Sequence, residues 1–321
     1  MIKAGIIGGA GYTAGELIRI LINHPEAEIA FVQSESNAGN LITDVHTDLI
    51  GEIGLKFTDS PDVRESDVLF LCMGHGRSKS YVDGLPDDFS GKIIDLSNDF
   101  RLKKDAEGFV YGLPELQREK IRKADRIANP GCFATAIQLA LLPLAAAQKL
   151  DEVHIHAVTG STGAGQSPTP TTHFSWRSSN MSVYKAFSHQ HLGEIGETLA
   201  GLQKGFDKPL NFVPVRGDFP RGIMASVYLN SDLSGDDAAK LFRGYYEGHP
   251  FTHISERNPD LKMVVNTNKA VVYVKKYGKK LHIISMIDNL LKGASGQAVQ
   301  NMNLIFGLDE LTGLRLKPLA F

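Results

Sequence analysis

The stretch Ile2-Lys3-Ala4-Gly5-Ile6-Ile7-Gly8-Gly9-Ala10-Gly11-Tyr12-Thr13-Ala14-Gly15-Glu16-Leu17 decides the fold. Residues 2–8 are a short apolar run with a single charge, as expected of a parallel strand buried on both faces. A glycine turn follows. Leu17, Ile20 and Leu21 then recur at the i, i+3, i+4 spacing of one helix face. His24-Pro25 stops that helix, and residues 29–33 read as the next strand. Strand, glycine turn, helix and strand make a βαβ unit. Short buried runs at 68–73 and 92–96 continue the series and predict a Rossmann-type, doubly wound parallel sheet in an α/β chain.

The texture changes after about residue 150. Residues 153–158 alternate, with His154 and His156 on one face and Val153, Ile155 and Ala157 on the other. Residues 223–229, 270–274 and 281–286 are further strands. The last two flank Lys275-Lys276-Tyr277-Gly278-Lys279-Lys280, which reads as a solvated hairpin turn rather than a nucleic-acid contact. These runs predict an α+β catalytic and dimerisation domain with a mixed sheet. A helix over 294–306 carries Ala298, Met302 and Ile305 on one stripe. Residues 160–182, rich in Ser, Thr, Gly and Pro, are too long for an idle connection and read as a functional loop.

A chain of 321 residues suffices for two domains. With 42% hydrophobic residues it can build a core for each. A net charge of −2 gives no footing for nucleic acid or an anionic membrane. No apolar run approaches the roughly 18 residues of a membrane span. The N-terminus opens directly as a strand, and two cysteines make no disulfide framework. A cytoplasmic protein with free thiols is expected.

Gly8, Gly11 and Gly15 lie between strand and helix, where small residues and free N–H groups let a pyrophosphate approach. At the end of the second strand stand Ser34, Glu35 and Ser36. Glu35 suits the ribose of NAD, and the two hydroxyls suit the 2′-phosphate of NADP, so the residues alone leave both open. Asn129-Pro130-Gly131 bends the chain just before a helical stretch, and Cys132 falls at its start. A helix N-terminus favours a thiolate, which makes Cys132 the candidate nucleophile. Cys72, inside an apolar run, reads as core. His189 and His191 begin a periodic stretch with Glu194 in its first turn, a base beside an orienting carboxylate. His154 and His156 lack the Cys-x-x-Cys or His-Glu-x-x-His company of zinc ligands, so no metal is expected.

Together these residues resemble the N-acetyl-γ-glutamyl-phosphate reductases, a family related to aspartate-semialdehyde dehydrogenase. The likeness runs from the Gly11-Tyr12-Thr13-Ala14-Gly15-Glu16-Leu17 turn through 95–101 and 111–115, Asn129-Pro130-Gly131-Cys132 and His189-x-His191-x-x-Glu194-Ile195 to residues 288–298, the most specific match. The resemblance implies NADP(H), held by Gly8, Gly11, Tyr12, Thr13, Ala14, Ser34, Ser36, Gly163, Ala164 and Asn289. It implies catalysis by Cys132 and His189, with Glu194 orienting His189. Arg101, Ser161, Arg221, Lys292 and Gln297 would contact substrate. It also implies a dinucleotide domain over 1–131, rejoined by a C-terminal helix at about 294–321, a catalytic domain over 132–293, and a homodimer or homotetramer. The expected reaction is reduction of an N-acyl-γ-glutamyl phosphate through a Cys132 thioester, in arginine biosynthesis. Reduction of an aspartyl or aminoadipyl phosphate, or a non-catalytic nucleotide-binding regulator, are the rivals. Phe133-Ala134-Thr135, residues 169–181 and Phe212-Val213-Pro214-Val215-Arg216 depart from the family pattern and leave the acyl group open, acetyl or succinyl. In the long loop, either Arg177 or a neighbour reads that acyl end, or the loop packs at a subunit interface.

Overall fold

The computed structural model describes residues 1–319. They form two compact units, the first comprising Met1–Pro130 and Ala294–Arg315, the second Gly131–Gly293 and the tail from Leu316.

In the first unit β1 (Ile2–Ile7) leads through the glycine turn into α1 (Tyr12–Leu21), which returns to β2 (Ala27–Gln33). Then follow β3 (Val68–Leu71), α2 (Ser78–Asp83), β4 (Lys92–Asp95), β5 (Val110–Tyr111), α3 (Pro114–Ile121) and β6 (Arg126–Ala128). The six strands pair in parallel in the order β2-β1-β3-β4-β6-β5. Chain direction across the sheet reverses at β1, which has β2 on one side and β3 on the other. In such sheets ligands bind at the carboxyl ends of the strands beside that reversal. The uniformly apolar β3 is buried at every position, as a central parallel strand must be.

The second unit opens with α4 (Cys132–Ala146), in which every residue from Phe133 to Ala145 is buried. A helix apolar on all sides belongs inside the core, and α4 packs against the mixed sheet. That sheet is built from β7 (Val153–Thr159), β8 (Ser182–Val183), β9 (Leu210–Arg216), β10 (Ile223–Asn230), β11 (Thr252–Ile254), β12 (Ala270–Tyr277) and β13 (Lys280–Ile287). Its order is β11-β12-β13-β10-β7-β9-β8, with parallel and antiparallel pairs. Between the strands come α5 (Phe174–Arg177), α6 (His191–Leu202) and α7 (Gly235–Tyr246). The basic run is less turn than expected. Lys275, Lys276 and Tyr277 complete β12, and only Gly278 (φ 55°) and Lys279 make the turn.

The last helix, α8 (Ser295–Ile305), belongs to the first unit and corrects two expectations. It ends at Ile305, where Phe306 and Gly307 (φ 73°) leave the helix, rather than running toward 321. It is also buried on all sides rather than along one stripe. Its polar side chains are satisfied inside the unit. Gln300 donates to Glu310 (2.8 Å), Asn301 to the Gly112 carbonyl (2.9 Å) and Asn303 to the Thr312 carbonyl (2.9 Å). Buried polar groups persist only with such partners.

Candidate active site

In the first unit the carboxyl ends of β1, β2 and β3 surround a cleft of about 390 Å³ lined by Gly8, Gly11, Ser34, Glu35, Ser36 and Arg77, among others. Gly8 has φ 81°, and a side chain there would meet the backbone of Cys72 at 3.0 Å. Glycine alone fits this turn. Gly11 caps α1 with no side-chain hydrogen bond, and the space over its Cα is open. The first N–H groups of a ten-residue helix are therefore available to an anion. Asn37 donates to the hydroxyls of both Ser34 (3.1 Å) and Ser36 (3.0 Å). Each hydroxyl keeps its own proton to donate.

Asn37 and Arg77 are residues that sequence reasoning missed. Arg77 is exposed on the cleft wall with no side-chain partner among the described residues. Its signal was only a basic residue soon after a strand end. Tyr12 is partly exposed and Ala14 fully buried, so Ala14 offers a ligand only its backbone. Thr13 accepts from Ser295 through its carbonyl (2.7 Å). Cys72 is not core. It lies one residue beyond β3, half-buried on the cleft wall. Burial pushes its thiol up to about 12, against a hydrogen bond with Thr13, so it stays protonated and inert.

In the second unit Cys132 is the first residue of α4, with Gly131 as its cap. Gly131 donates its N–H to Glu194 (3.1 Å). A Cβ on Gly131 would sit 2.4 Å from the His191 ring and 2.7 Å from the Glu194 carboxylate. Glycine here lets an imidazole and a carboxylate press against the backbone beside the thiol. From another side, a Cβ on Gly293 would come within 2.8 Å of Cys132 Cβ, so the turn after β13 also packs on the nucleophile.

His189, His191 and Glu194 are 5%, 6% and 4% exposed. Glu194 faces His191, at 3.9 Å from Nε2, and not His189, which corrects the expected orienter pair. Helical spacing explains it, because i, i+3 positions share a face whereas His189 precedes the helix. His189 instead accepts the His191 N–H on Nδ1 (3.2 Å) and sits among Phe133, Tyr184 and Phe212. Burial, reinforced by Lys185 and Arg216, lowers its pKa to about 4. Tyr184 is pushed up to about 12 by burial and then by the nearness of Cys132, with Arg216 opposing.

Other expected ligands are committed elsewhere. Asp288 is fully buried and accepts from Arg221 Nε (3.1 Å) and Nη2 (3.2 Å) and from the N–H groups of Asn266, Leu290 and Leu291. Arg221 therefore serves the buried carboxylate, which needs a countercharge. Asn289 accepts from the Gly222 N–H (2.7 Å) and donates to Thr162 (3.0 Å), so its amide staples two loops. Arg101 donates to the carbonyls of Asn129 (2.9 Å) and Leu96 (3.0 Å). Arg177 is buried and spends its guanidinium on the carbonyls of Thr171, Asn180 and Arg216 and on Ser182, which rules out a free carboxylate clamp. Ser161, Gly163 and Ala164 form a single 3₁₀ turn held to the carbonyls of Phe219 and Pro220. Lys292 is fully buried just before Gly293, and Gln297 is buried in α8. Among the described residues no three His, Cys, Asp or Glu side chains converge as metal ligands, and no helix is long and apolar enough to cross a membrane.

Comparison with known proteins bears on both sites. Residues 3–124 match the semialdehyde dehydrogenase NAD binding domain, and residues 132–289 match the semialdehyde dehydrogenase dimerisation domain. Over its full length the chain is 62% identical to a protein of Azobacteroides pseudotrichonymphae and 57% identical to one of Bacteroides thetaiotaomicron. Each is covered completely, and each is named N-acetyl-gamma-glutamyl-phosphate reductase. Among solved structures, aspartate semialdehyde dehydrogenase II of Vibrio cholerae superposes with a TM-score of 0.75 at 15% identity, covering 96% of this chain and 98% of that one. The Candida albicans aspartate semialdehyde dehydrogenase with NADP gives 0.70 at 13%, covering 96% and 99%. These last two show likeness of fold.

Proposed function

The chain belongs to the N-acetyl-γ-glutamyl-phosphate reductase family of the semialdehyde dehydrogenases, and from that premise we propose that it reduces an N-acyl-γ-glutamyl phosphate to the 5-semialdehyde and inorganic phosphate with NADPH, a step of arginine biosynthesis. The observation that carries this reading is the cluster at the head of α4, where Cys132, His191 and Glu194 meet at a glycine with no room for a side chain.

The chemistry follows from the cluster. The Cys132 thiolate attacks the acyl carbon, a C–S bond forms, and phosphate departs with the electron pair of the C–O bond. NADPH, when bound, supplies the hydride that reduces the thioester. Collapse of the resulting oxyanion breaks the C–S bond, frees the aldehyde and restores the thiolate. We assign proton transfer at the sulfur and the oxyanion to His191 rather than His189. His191 lies against the cysteine's own turn and faces a carboxylate that can orient its imidazole. His189, with a pKa of about 4, is a weak base near neutrality. It remains neutral and shapes the apolar wall. Ser161 and Lys292 stay candidates for substrate contact.

The residues of the first unit fit NADP(H). Gly8 and Gly11 open the turn to the pyrophosphate, and Ser34, Ser36 and Arg77 supply two hydroxyl donors and a cation for a 2′-phosphate. Gly163 and Ala164 are retained as cofactor contacts from the family likeness. A homodimer or homotetramer is the working assembly. The match to a dimerisation domain supports it, as do the exposed Phe174, Met181, Val183 and Phe187 on the second unit. A cytoplasmic location suits a chain that draws on NADPH. The test is the reverse reaction, with N-acetylglutamate 5-semialdehyde, NADP⁺ and phosphate. NADPH should form beyond a single equivalent per chain only when all three are present. Formation from aspartate semialdehyde instead, or none from either, would reject the reading.

A further inference from the structure

We infer that Arg216 is an anion-binding residue of the Cys132 site, where with Tyr184 it holds an oxyanionic group of the substrate. The inference rests on the proposed acyl-phosphate reductase activity and adds to it a recognition residue that the sequence reading did not name.

Arg216 is the last residue of β9, paired on one side with Thr159 of β7 and on the other with Ser182 of β8. Its guanidinium lies over the Tyr184 ring at 4.6 Å, a stacking that fixes its plane. The Tyr184 ring is 5.7 Å from the His189 ring, and His189 is 4.6 Å from His191, so the cation belongs to the same cluster as the nucleophile. Arg216 Nε is buried and has no hydrogen-bond partner. Buried donors are nearly always satisfied, so an unsatisfied one in a reaction site marks a ligand's place.

No carboxylate neutralises this arginine among the described residues. Of the nearby acids, Asp218 keeps its charge and offsets part of that of Arg177, leaving three cations against one carboxylate. Asp218 accepts from the Ser179 N–H (2.5 Å), and Glu194 serves Gly131 and His191. Arg177, Lys185 and Arg216 thus leave the loop side of the site with excess positive charge. The loop is also held in an unfavourable backbone there, at φ 46° for Lys185 and 57° for Phe187. Left-handed backbone at non-glycine residues clusters at ligand sites. A planar guanidinium takes a carboxylate or a phosphate equally well, through two parallel N–H···O bonds. In this substrate the anion is either the phosphoryl group or a carboxylate.

The experiment compares the native chain with Arg216→Gln, Arg216→Lys and Tyr184→Phe. First, alkylation of Cys132 by iodoacetamide is followed with and without inorganic phosphate or N-acetylglutamate. One of the two anions should slow labelling of the native chain and not of Arg216→Gln, which needs no turnover. Second, in the reverse reaction KM for phosphate and for semialdehyde are measured separately. A rise of about 10- to 100-fold in the phosphate KM assigns Arg216 to the phosphoryl group, and the same rise in the semialdehyde KM assigns it to a carboxylate. Arg216→Lys should recover part of the loss. Absence of protection in the native chain, or both KM values unchanged in a folded Arg216→Gln, overturns the inference. A native chain that is protected yet never forms NADPH would instead count against the reductase reading alone.

Discussion

Cys132 and Cys72 present the same chemical group in opposite settings. Cys132 starts a fifteen-residue helix beside two histidines and a carboxylate, whereas Cys72 is desolvated with its thiol near 12. Cys132→Ser should therefore bind dinucleotide and lose all measurable reduction, while Cys72→Ser keeps turnover. Activity retained by the first variant would end the covalent mechanism. The two histidines should separate in the same way. His191→Asn should lower kcat by about 10²- to 10⁴-fold, the usual span for a lost acid–base group, and His189→Asn by much less. The reverse order would return the role to His189. His189 has a different signature, in stability. Its ordinary value near 6.5 is lowered to about 4 by burial, Lys185 and Arg216. The unfolded chain takes up the proton first, so the stability from this neutral imidazole is complete above pH 6.5 and lost as pH falls toward 4. The gap corresponds to on the order of 3 kcal/mol. Urea unfolding at pH 7 and pH 4.5 should show a smaller loss for His189→Asn than for the native chain, and equal losses would contradict the assignment. At the cofactor cleft, Arg77→Ala should weaken NADPH by roughly 10- to 100-fold and leave NADH nearly unchanged in direct binding titrations.

At the scale of elements, the turn after β13 is organised by one carboxylate. Asp288 gathers the Arg221 fork and three backbone N–H groups and thereby brings Gly293 against Cys132. Asp288→Ala leaves Arg221 without its partner, and breaking a buried pair costs about 3–5 kcal/mol. Denaturant melts should register a loss of that size, and a loss under 1 kcal/mol would mean that the turn is held by other contacts. The same element illustrates what was legible in the sequence. Strand and helix periodicity gave β1, α1, β7, β10 and the β12–β13 hairpin, because apolar alternation is a local property. The proline–glycine bend before α4 marked the nucleophile for the same reason. What escaped was long-range pairing. Nothing local to Arg221, Asn289 or Arg177 says that a buried carboxylate, a loop amide or a set of carbonyls will claim each of them. The Glu194–His191 pair, by contrast, follows from i, i+3 spacing once the helix is known to start at His191 rather than His189. The all-round burial of α8 was also hidden, since the apolar stripe of Ala298, Met302 and Ile305 says nothing of the Glu310, Gly112 and Thr312 partners that satisfy Gln300, Asn301 and Asn303.

At the scale of the whole molecule, each unit carries one half of the chemistry, a dinucleotide cleft in the first and a thiol–histidine cluster in the second. The exposed apolar side chains of the second unit predict a self-associated enzyme. Sedimentation equilibrium should give a dimer or tetramer at micromolar chain concentrations, and a monomer would remove that part of the account. The central claim is that the acyl group passes through Cys132. Its most direct measurement is rapid-quench mass spectrometry of the enzyme mixed with N-acetylglutamate 5-semialdehyde and NADP⁺ without phosphate. With no phosphate to release it, the acyl group should accumulate as one N-acetylglutamyl adduct per chain, on the peptide carrying Cys132, together with one equivalent of NADPH. NADPH formed without any adduct on Cys132, or an adduct on Cys72 instead, would contradict it.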